Sequence, residues 1–471
     1  MLTYNFENIN GPLYEYLYKC IKEDINSGNL AANEQLPSKR SLAKNLGVST
    51  ITVENAYDQL ISEGYVYTIP KKGYYVANIL DIPKMEPAKS ENNIRLPFRK
   101  PESFFDFSSN QTNPENFPFS VWARLMRTTI SEKYEELMIN SPCNGIYMLR
   151  EAISEHLYSF RGMNVDPEQI FIGAGTEYLY GILIQLFGRH KIYCVENPGY
   201  RKIVQIYRSN EVSLKFADMD EKGISAAGLN SVNADIAHIS PTHHFPTGIT
   251  MPVDRRYELL AWANEQNGRY IIEDDYDSEF RLTGKPIPTL QSIDVSEKVI
   301  YMNTFSKTLA STIRISYMVL PIHLANRFYS SLSFYSCTVS NFEQYTLARF
   351  IKMGYFEKHI NRMRLYYARQ RKKVLACIEQ SSLKDFCMVI EKDSGLHFLL
   401  HLDTPLCDDE ICRRLAKKKI HMASLSEYYH ASTAPKEHLF ILNYSNLDLN
   451  DFKAALEKIA EAVACPARNE A

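Results

Sequence analysis

The sequence predicts an α/β protein of two domains: a small N-terminal domain of helices closed by a β-hairpin, and a large domain built on a mainly parallel sheet. The chain has 471 residues, which is too long for one typical hydrophobic core. Helical periodicity precedes a hairpin pattern in residues 1–77, and helical and β-rich segments alternate from about residue 106 onward. We therefore place the domains at 1–77 and 106–471 and interpret 78–105, which contains several prolines, as a linker.

The composition is that of a folded globular protein with no strong overall field. Hydrophobic residues make up 45% and charged residues 23%, and the formal net charge is -2. Any contact with nucleic acid must therefore come from a local patch. Because no basic leader precedes an apolar stretch and no run approaches the roughly 20 apolar residues of a membrane span, we expect a cytoplasmic protein without a membrane partner. Nine cysteines without a CxxC pair are expected to be reduced thiols, with no metal site.

The N-terminal segment has the spacing of a helix-turn-helix followed by a wing. Leu13, Leu17, Ile21 and Ile25 recur every four residues and predict a first helix with one apolar face. Two further helices begin after the N-cap candidates Ser38 and Ser49 and are joined by the tight Gly47-Val48 link. The segment closes with YVYTIPKKGYYVA, a predicted hairpin with two lysines at its tip.

This arrangement indicates a DNA-binding surface, because short hydrogen-bonding side chains at the exposed start of a second helix suit base edges and phosphates. A three-helix cap with solvated lysines is the competing interpretation, and the acidic residues of the segment favour it. The DNA-binding candidates are Ser38, Lys39, Arg40, Ser49, Thr50, Thr52, Asn55, Lys71, Lys72 and Gly73.

The order of these elements, read through LPSKRSLAKNLGVSTITVENAYDQLISEGYVYTIPKKGYYV, resembles the winged-helix domain of the GntR superfamily of bacterial transcription regulators. The resemblance implies binding to double-stranded operator DNA through the helix-two Ser-x-Arg, the recognition-helix residues and the wing glycine. Thr50 and Glu54 stand where many relatives have arginines. Affinity for phosphate is therefore expected to be modest.

Three segments of the large domain contain candidate ligand-binding residues. In FIGAGTEYLYGIL, the run Ala174, Gly175 and Thr176 opens a helix, where free N–H groups can bind phosphate, although glycine also occurs in such turns for backbone reasons. In RYIIEDDYDSEFR, Asp274 and Tyr276 follow a strand at the end where ligands bind in open α/β sheets, although a loop acid can also cap a helix.

The third segment, VIYMNTFSKTLASTIRISYMVLP, places Lys307 after another apolar run. A solvated loop lysine is one interpretation, and a lysine that forms a Schiff base, which attacks a carbonyl only when neutral, is the other. Arg314 can pair with a phosphate dianion, to which Thr304 and Ser306 can donate hydrogen bonds.

Together these residues describe a site for pyridoxal 5'-phosphate. That cofactor needs a lysine for its aldehyde, a carboxylate for its ring nitrogen, a phenol for its ring oxygen and a phosphate cradle. Lys307, Asp274, Tyr276 and the cradle around Gly175 and Arg314 match these needs.

The combination resembles the fold-type I aminotransferases, and with the winged helix in front the whole chain resembles the MocR family of regulators. Supporting segments are ENPGYRK and SPTHHFPTGITMP. The resemblance implies that Tyr200 stacks on the cofactor ring and that the protein is a homodimer in which each winged helix packs against the partner's large domain.

Several positions depart from active aminotransferases. Ile441 stands about where their substrate-carboxylate arginine falls, and Phe245 replaces their asparagine before Pro-Thr-Gly. In the MocR member that senses γ-aminobutyrate an arginine after the ENPGY-like motif binds the effector carboxylate, and Lys202 is found there. We therefore expect a regulator, not an enzyme, that senses an amino compound, with Lys202 as the effector-binding candidate, or senses the cofactor itself, through an internal aldimine at Lys307. An active aminotransferase with a fused helical domain and a large domain without ligand function are the alternatives.

Overall fold

The structure, a computed structural model, describes residues 2–6, 11–79, 105–108, 113–281, 287–390, 395–430 and 435–464. The chain divides into a unit of Met1–Arg99 and a unit of Lys100–Ala471. Most of the predicted linker, 78–105, lies outside the described residues.

The first unit combines three helices with a small antiparallel sheet of strand order β1-β3-β2 in the described residues. Its elements are α1 (Leu13–Ser27), β1 (Gln35–Leu36), α2 (Lys39–Leu46), α3 (Thr50–Ser62), β2 (Val66–Ile69) and β3 (Gly73–Val76).

Capping fixes the ends of the predicted helices. The Ser38 and Ser49 hydroxyls accept backbone hydrogen bonds at the starts of α2 and α3, and Gly47 ends α2 with a φ of 69°. Burial confirms the apolar face of α1 at Leu17, Ile21 and Ile25. Leu13 was also predicted on that face but is 41% exposed, because it begins the first turn, where few side chains of the unit reach it.

The second unit contains the remaining helices and strands. Its helices are α4 (Phe119–Glu132), α5 (Tyr147–Arg161), α6 (Thr176–Phe187), α7 (Arg201–Ser209), α8 (Ala226–Ser231), α9 (Val253–Asn264), α10 (Leu290–Ile293), α11 (Phe305–Thr308), α12 (Ile322–Ser331), α13 (Asn341–Lys352), α14 (Tyr355–Glu379), α15 (Asp408–Lys417) and α16 (Leu449–Val463). Its strands are β4 (Phe105–Asp106), β5 (Ile170–Gly173), β6 (Ile192–Asn197), β7 (Ser213–Asp220), β8 (Gly223–Ile224), β9 (Ile236–Ile239), β10 (Tyr270–Asp274), β11 (Val299–Thr304), β12 (Ser316–Val319), β13 (Cys387–Ile390), β14 (His397–Leu402), β15 (Ile420–His421), β16 (Ala423–Ser424) and β17 (Leu439–Asn443).

The central sheet has the order β5-β12-β11-β10-β9-β6-β7-β8. Neighbours from β11 through β7 are parallel, whereas β12 and β8 run antiparallel to their neighbours. Alternate residues enter different cores: Ile172 and Tyr301 pack in one, and Phe171 and Ile300 in another. Helices therefore cover both faces, and the predicted α/β class with a mainly parallel sheet is confirmed.

This topology brings several strand ends to one edge. The parallel strands β6, β9, β10 and β11 end at Asn197, Ile239, Asp274 and Thr304. A second sheet, with the order β13-β14-β17-β16, contributes His397 and Asn443 to the wall of the same cavity. Ligands of open parallel sheets bind beyond the carboxyl ends of the strands, and this edge has that position.

No helix in the described ranges is long and apolar enough to cross a membrane. Within the same ranges, no group of three His, Cys, Asp or Glu side chains is arranged to hold a metal ion.

A buried ion pair ties α5 to the end of β10. The Arg161 guanidinium, at the last turn of α5, pairs with Asp275, and both side chains are 1% exposed. Arg161 also donates to the Ile287 carbonyl at 2.9 Å, and the Tyr301 hydroxyl donates to Asp275 at 2.8 Å. Removing one partner of such a pair leaves a buried charge without compensation.

Arg161→Met is therefore expected to destabilise the large unit by about 3–5 kcal/mol, measured from the guanidinium unfolding curve. The control is Arg413→Met, which removes an exposed pair with Glu410 and should cost less than about 1 kcal/mol. Equal losses for the two variants would contradict the structural role of Arg161.

Candidate functional site

A cavity of about 280 Å³ lies at this edge of the central sheet. It brings together nearly all the residues that the sequence assigns to the cofactor. Those lining it are Gly175, Thr176, Tyr200, Asp274, Tyr276, Thr304, Ser306, Lys307 and Arg314, together with the effector candidate Lys202.

Lys307 lies in the short helix α11, directly after β11. Desolvation lowers the pKa of its amine to about 8, while the nearby Asp277 carboxylate acts in the opposite direction. The amine therefore loses its proton as the pH rises through about 8, well below the range of a solvated lysine. A neutral amine is the form that attacks a carbonyl.

Asp274 ends β10, and a hydrogen bond from Tyr180 holds its carboxylate. The Tyr180 hydroxyl donates to Asp274 Oδ2 at 2.5 Å, and His238 Nε2 lies 3.7 Å from the same oxygen. Asp274 Oδ1 is buried and has no hydrogen-bond partner within the described part of the chain. One carboxylate oxygen is thus fixed by the protein, and the other is available to a donor in the cavity.

The Tyr276 hydroxyl, just after β10, lies near a histidine that pairs with an acid. This hydroxyl lies 3.3 Å from His243 Nδ1, which lies 2.8 Å from Asp277 Oδ2. Burial raises the pKa of the Tyr276 phenol well above 10, with a further contribution from Asp277. The phenol therefore keeps its proton and can donate it in a hydrogen bond.

Gly175 and Arg314 make an anion-binding surface at the start of α6. Gly175 has a φ of 92°, and a Cβ placed on it would overlap the Arg314 guanidinium. The guanidinium therefore lies directly against the backbone that leads to Thr176. A helix N-terminus beside a guanidinium is suited to a phosphate.

Ala174 and the two hydroxyls beside Lys307 have other partners. The Ala174 N–H, predicted to face phosphate, donates to Thr338 Oγ1 at 2.9 Å. The Ser306 hydroxyl donates to the Ile313 carbonyl at 2.7 Å, and Thr304 Oγ1 accepts from Ser306 N at 3.1 Å. These contacts hold the loop that follows Lys307 against the next strand. The sequence instead predicts that both hydroxyls donate to a phosphate.

Glu177 connects the two cations on the α6 side of the cavity. Its carboxylate pairs with Lys202 Nζ and lies 3.3 Å from Arg314 Nη2. Burial alone raises the pKa of Glu177, but the hydrogen bond from Lys202 and the charge of Arg314 outweigh it and lower the pKa overall. The charge of Lys202 is therefore already compensated within the protein.

Aromatic side chains form the opposite wall. Phe245 contacts Tyr200 edge to face with 5.7 Å between ring centroids, and Tyr428 in the same way at 5.3 Å. Tyr200 caps the start of α7 and is 43% exposed. Its ring is thus available for stacking on a planar ligand.

Sequence reasoning missed several residues of the cavity. Tyr180 follows Thr176 by one helical turn on α6, and His238 interrupts the apolar strand β9, so spacing could have indicated both. Glu196, near the end of β6, is buried, and burial raises its pKa to about 8, with Asp274 adding to the effect. The position of Glu196 after an apolar run could have indicated that it lies at the end of a strand beside the cavity.

The first unit presents a separate candidate surface. Ser38, Arg40, Ser49, Thr50, Asn55, Lys71 and Lys72 are exposed, whereas Lys39, Thr52 and Gly73 are partly buried. Three of them are already engaged, because Lys39 Nζ pairs with Glu54 at 2.6 Å and Ser49 Oγ lies 2.8 Å from Thr52 Oγ1. Ile51, at the start of α3, is 67% exposed and was not anticipated.

Known families match both units. Residues 13–76 match the family described as "Bacterial regulatory proteins, gntR family", and residues 102–459 match "Aminotransferase class I and II". The second unit resembles the crystal structure of kynurenine aminotransferase from Pyrococcus horikoshii with a TM-score of 0.67 and 23% identity, over 77% of this chain and 91% of that one. At this identity the likeness shows the fold alone.

Relatives share the whole arrangement. The uncharacterized HTH-type transcriptional regulator YdeL of Bacillus subtilis is 36% identical over 453 residues, 96% of each chain. The probable rhizopine catabolism regulatory protein MocR of Rhizobium meliloti is 30% identical over 96% of this chain and 94% of its own. This chain belongs to the MocR-type transcriptional regulators. The HTH-type pyridoxine biosynthesis transcriptional regulator PdxR of Corynebacterium glutamicum is 29% identical over 95% of both chains.

In this MocR-type regulator the Tyr180 hydroxyl donates a buried hydrogen bond to Asp274. Tyr180→Phe is expected to destabilise the protein without added ligand by about 1–3 kcal/mol, because a buried carboxylate oxygen loses its donor. Urea unfolding measures the change. Tyr158→Phe, at a 67% exposed position, is the control and should be neutral. An equal effect of the two substitutions would contradict the role of this hydrogen bond.

Proposed function

We propose that this MocR-type regulator binds operator DNA through its winged helix and binds pyridoxal 5'-phosphate in the cavity, where either an amino compound or the cofactor itself is the signal. One observation supports the proposal above the others. An amine of lowered pKa on Lys307 and an unpaired buried oxygen of Asp274 line one cavity with an anion-binding surface at Arg314.

The residues present fit this cofactor. The unpaired Asp274 Oδ1 suits a protonated ring nitrogen, and the Tyr276 phenol suits a ring oxygen. The Arg314 guanidinium, which lies where a Cβ on Gly175 would fall, and the N–H groups at the start of α6 together suit a phosphate. Tyr200 would lie against the ring.

When bound, the cofactor would supply an aldehyde for Lys307 and an electron-withdrawing ring. The protein's own part is to deliver a neutral amine and to keep Asp274 oriented through Tyr180. Glu177 forms ion pairs with Lys202 and Arg314. A phosphate that binds at Arg314 therefore competes with the Glu177 carboxylate.

The wall opposite Lys307 favours a regulator over a working aminotransferase. Ile441, which stands where the carboxylate arginine of active enzymes falls, is 1% exposed and packs in an apolar cluster that Phe245 contacts. Lys202, expected from the resemblance to receive an effector carboxylate, pairs with Glu177. Among the described lining residues, a substrate amino acid would find no uncommitted cation for its carboxylate, so steady transamination is not expected.

For the signal to reach DNA, occupancy of the cavity must favour one DNA-binding geometry over another. A homodimer would provide two winged helices for repeated half-sites. Exposed apolar side chains of the second unit support such pairing: Phe119, Ile130, Tyr134, Met138, Ile139 and Tyr147. Light scattering should give the mass of two chains, and the mass of one chain would contradict the dimer.

Covalent attachment of pyridoxal phosphate to Lys307 is expected to speed up about tenfold per pH unit below pH 8 and to level off above it, because the neutral amine reacts. Stopped-flow absorbance measures the rate, and borohydride trapping with peptide mapping locates the modified lysine. Lys307→Ala should abolish both signals.

Lys384→Ala, which removes an exposed lysine paired with Glu379, is the matched control and should retain both signals. Trapping at other lysines with Lys307 unmodified, or a rate that does not change with pH, would contradict the assignment.

Removal of the exposed Arg40 cation is expected to weaken DNA binding and to reduce the slope of log affinity against log salt by about one. The probe is a duplex that the protein selects from a random-sequence pool, and fluorescence anisotropy over a salt series measures the effect of Arg40→Ala. Arg189→Ala removes an exposed arginine of the second unit as the control. An unchanged slope for Arg40→Ala would remove this residue from the interface.

A further inference from the structure

The cavity has an apolar, aromatic wall where a ligand beside Lys307 would lie. Phe245 lines the cavity and contacts His397 with 5.2 Å between ring centroids, in addition to its contacts with Tyr200 and Tyr428. Behind it lies the buried cluster of Leu399, Ala423, Leu425 and Ile441. Apolar parts of a ligand gain from burial against such a surface.

The cations of the cavity wall are already committed. Among the lining side chains of the described chain, the lysines and arginines are Lys202, Lys307 and Arg314. Lys202 and Arg314 share the Glu177 carboxylate, and Arg314 also lies against Gly175, where the phosphate would bind. Lys307 supplies the amine that holds the cofactor.

Two of the lining histidines, His244 and His397, add no positive charge. Burial lowers the pKa of His244 to about 3 and that of His397 well below its usual range. Both are therefore neutral near pH 7. Three acids also line this cavity: Glu196, Asp274 and Asp277. Burial raises the pKa of Glu196 to about 8, so it is largely protonated near pH 7, and the proposed function assigns Asp274 to the cofactor ring. Asp277 is the carboxylate left for a ligand among these three.

Within the described residues, a ligand carboxylate placed in this part of the cavity would lose its water without gaining an uncommitted cation, which is costly. An ammonium group, in contrast, finds the Asp277 carboxylate and the aromatic faces of the wall. We propose that the ligand recognised beside Lys307 is an aromatic or aliphatic amine that has no carboxylate. This inference rests on the proposed function, because the amine is expected to meet the cofactor held at Lys307.

Matched pairs of compounds test the proposal on the full-length protein loaded with pyridoxal phosphate. Phenethylamine is compared with L-phenylalanine, and isoamylamine with L-leucine, by titrating the visible absorbance band and by measuring binding to the selected duplex. Each amine is expected to bind at least about tenfold more tightly than its carboxylated counterpart. Equal or tighter binding of the amino acids, or a band that neither compound moves, overturns the proposal.

Substitutions in the wall locate the preference. Phe245→Arg, at a lining position, is expected to raise the affinity for L-phenylalanine by about tenfold by supplying a cation. Phe245→Asn, at a partly exposed position, is the second variant if the first does not fold, and it should weaken phenethylamine binding by about tenfold. Val295→Arg, at a 97% exposed position, controls for the added charge. Unchanged ratios in both wall variants would overturn the proposal.

The absorbance band distinguishes failure of the proposed function from failure of the inference about the amine. A protein without any Lys307-dependent band contradicts the proposed function and this inference with it. A band that forms normally but responds equally to both members of each pair leaves the proposed function intact and overturns the inference alone.

Discussion

The pairing of Arg161 with Asp275 fixes the end of β10, and the cavity is built around that end. Asp275 lies between Asp274 and Tyr276 in the chain, so the backbone that positions it also positions the residues on either side. The guanidinium comes from α5, in one helical layer, and the Tyr301 hydroxyl that also reaches Asp275 comes from the neighbouring strand. The acids of the cavity are therefore anchored by a layer that does not itself line it.

Around this fixed strand end, the cavity has one polar side and one apolar side. On one side Asp274 is held by Tyr180, and Arg314 lies against Gly175. On the other side Phe245 lines the cavity in front of the buried apolar cluster around Ile441. The polar half suits a phosphorylated ring, and the apolar half beside Lys307 suits apolar groups of a ligand. The same scaffold can thus keep one ligand type while it changes the other.

Much of the fold was predictable because its signals are local. The periodicity of α1, the serine caps of α2 and α3 and the alternation of strands and helices require only short windows of sequence. The positions of Lys307, Asp274 and Tyr276 in one cavity followed from strand ends meeting at one edge. The contacts of Tyr180, His238 and Glu177 could not be predicted in this way, because they depend on how α6 and β9 pack across the sheet. The partner of Ala174 likewise comes from Thr338, far along the chain.

The Glu177 carboxylate competes with any bound anion for the Arg314 guanidinium. Any phosphate that approaches Arg314 must share the guanidinium with this carboxylate or displace it, and Lys202 stabilises the carboxylate where it is. Such competition weakens the hold of this surface on an anion relative to a guanidinium without a carboxylate partner. Under the proposed function, weaker retention would let occupancy of the cavity follow the concentration of the cofactor, which a permanently filled site would not do.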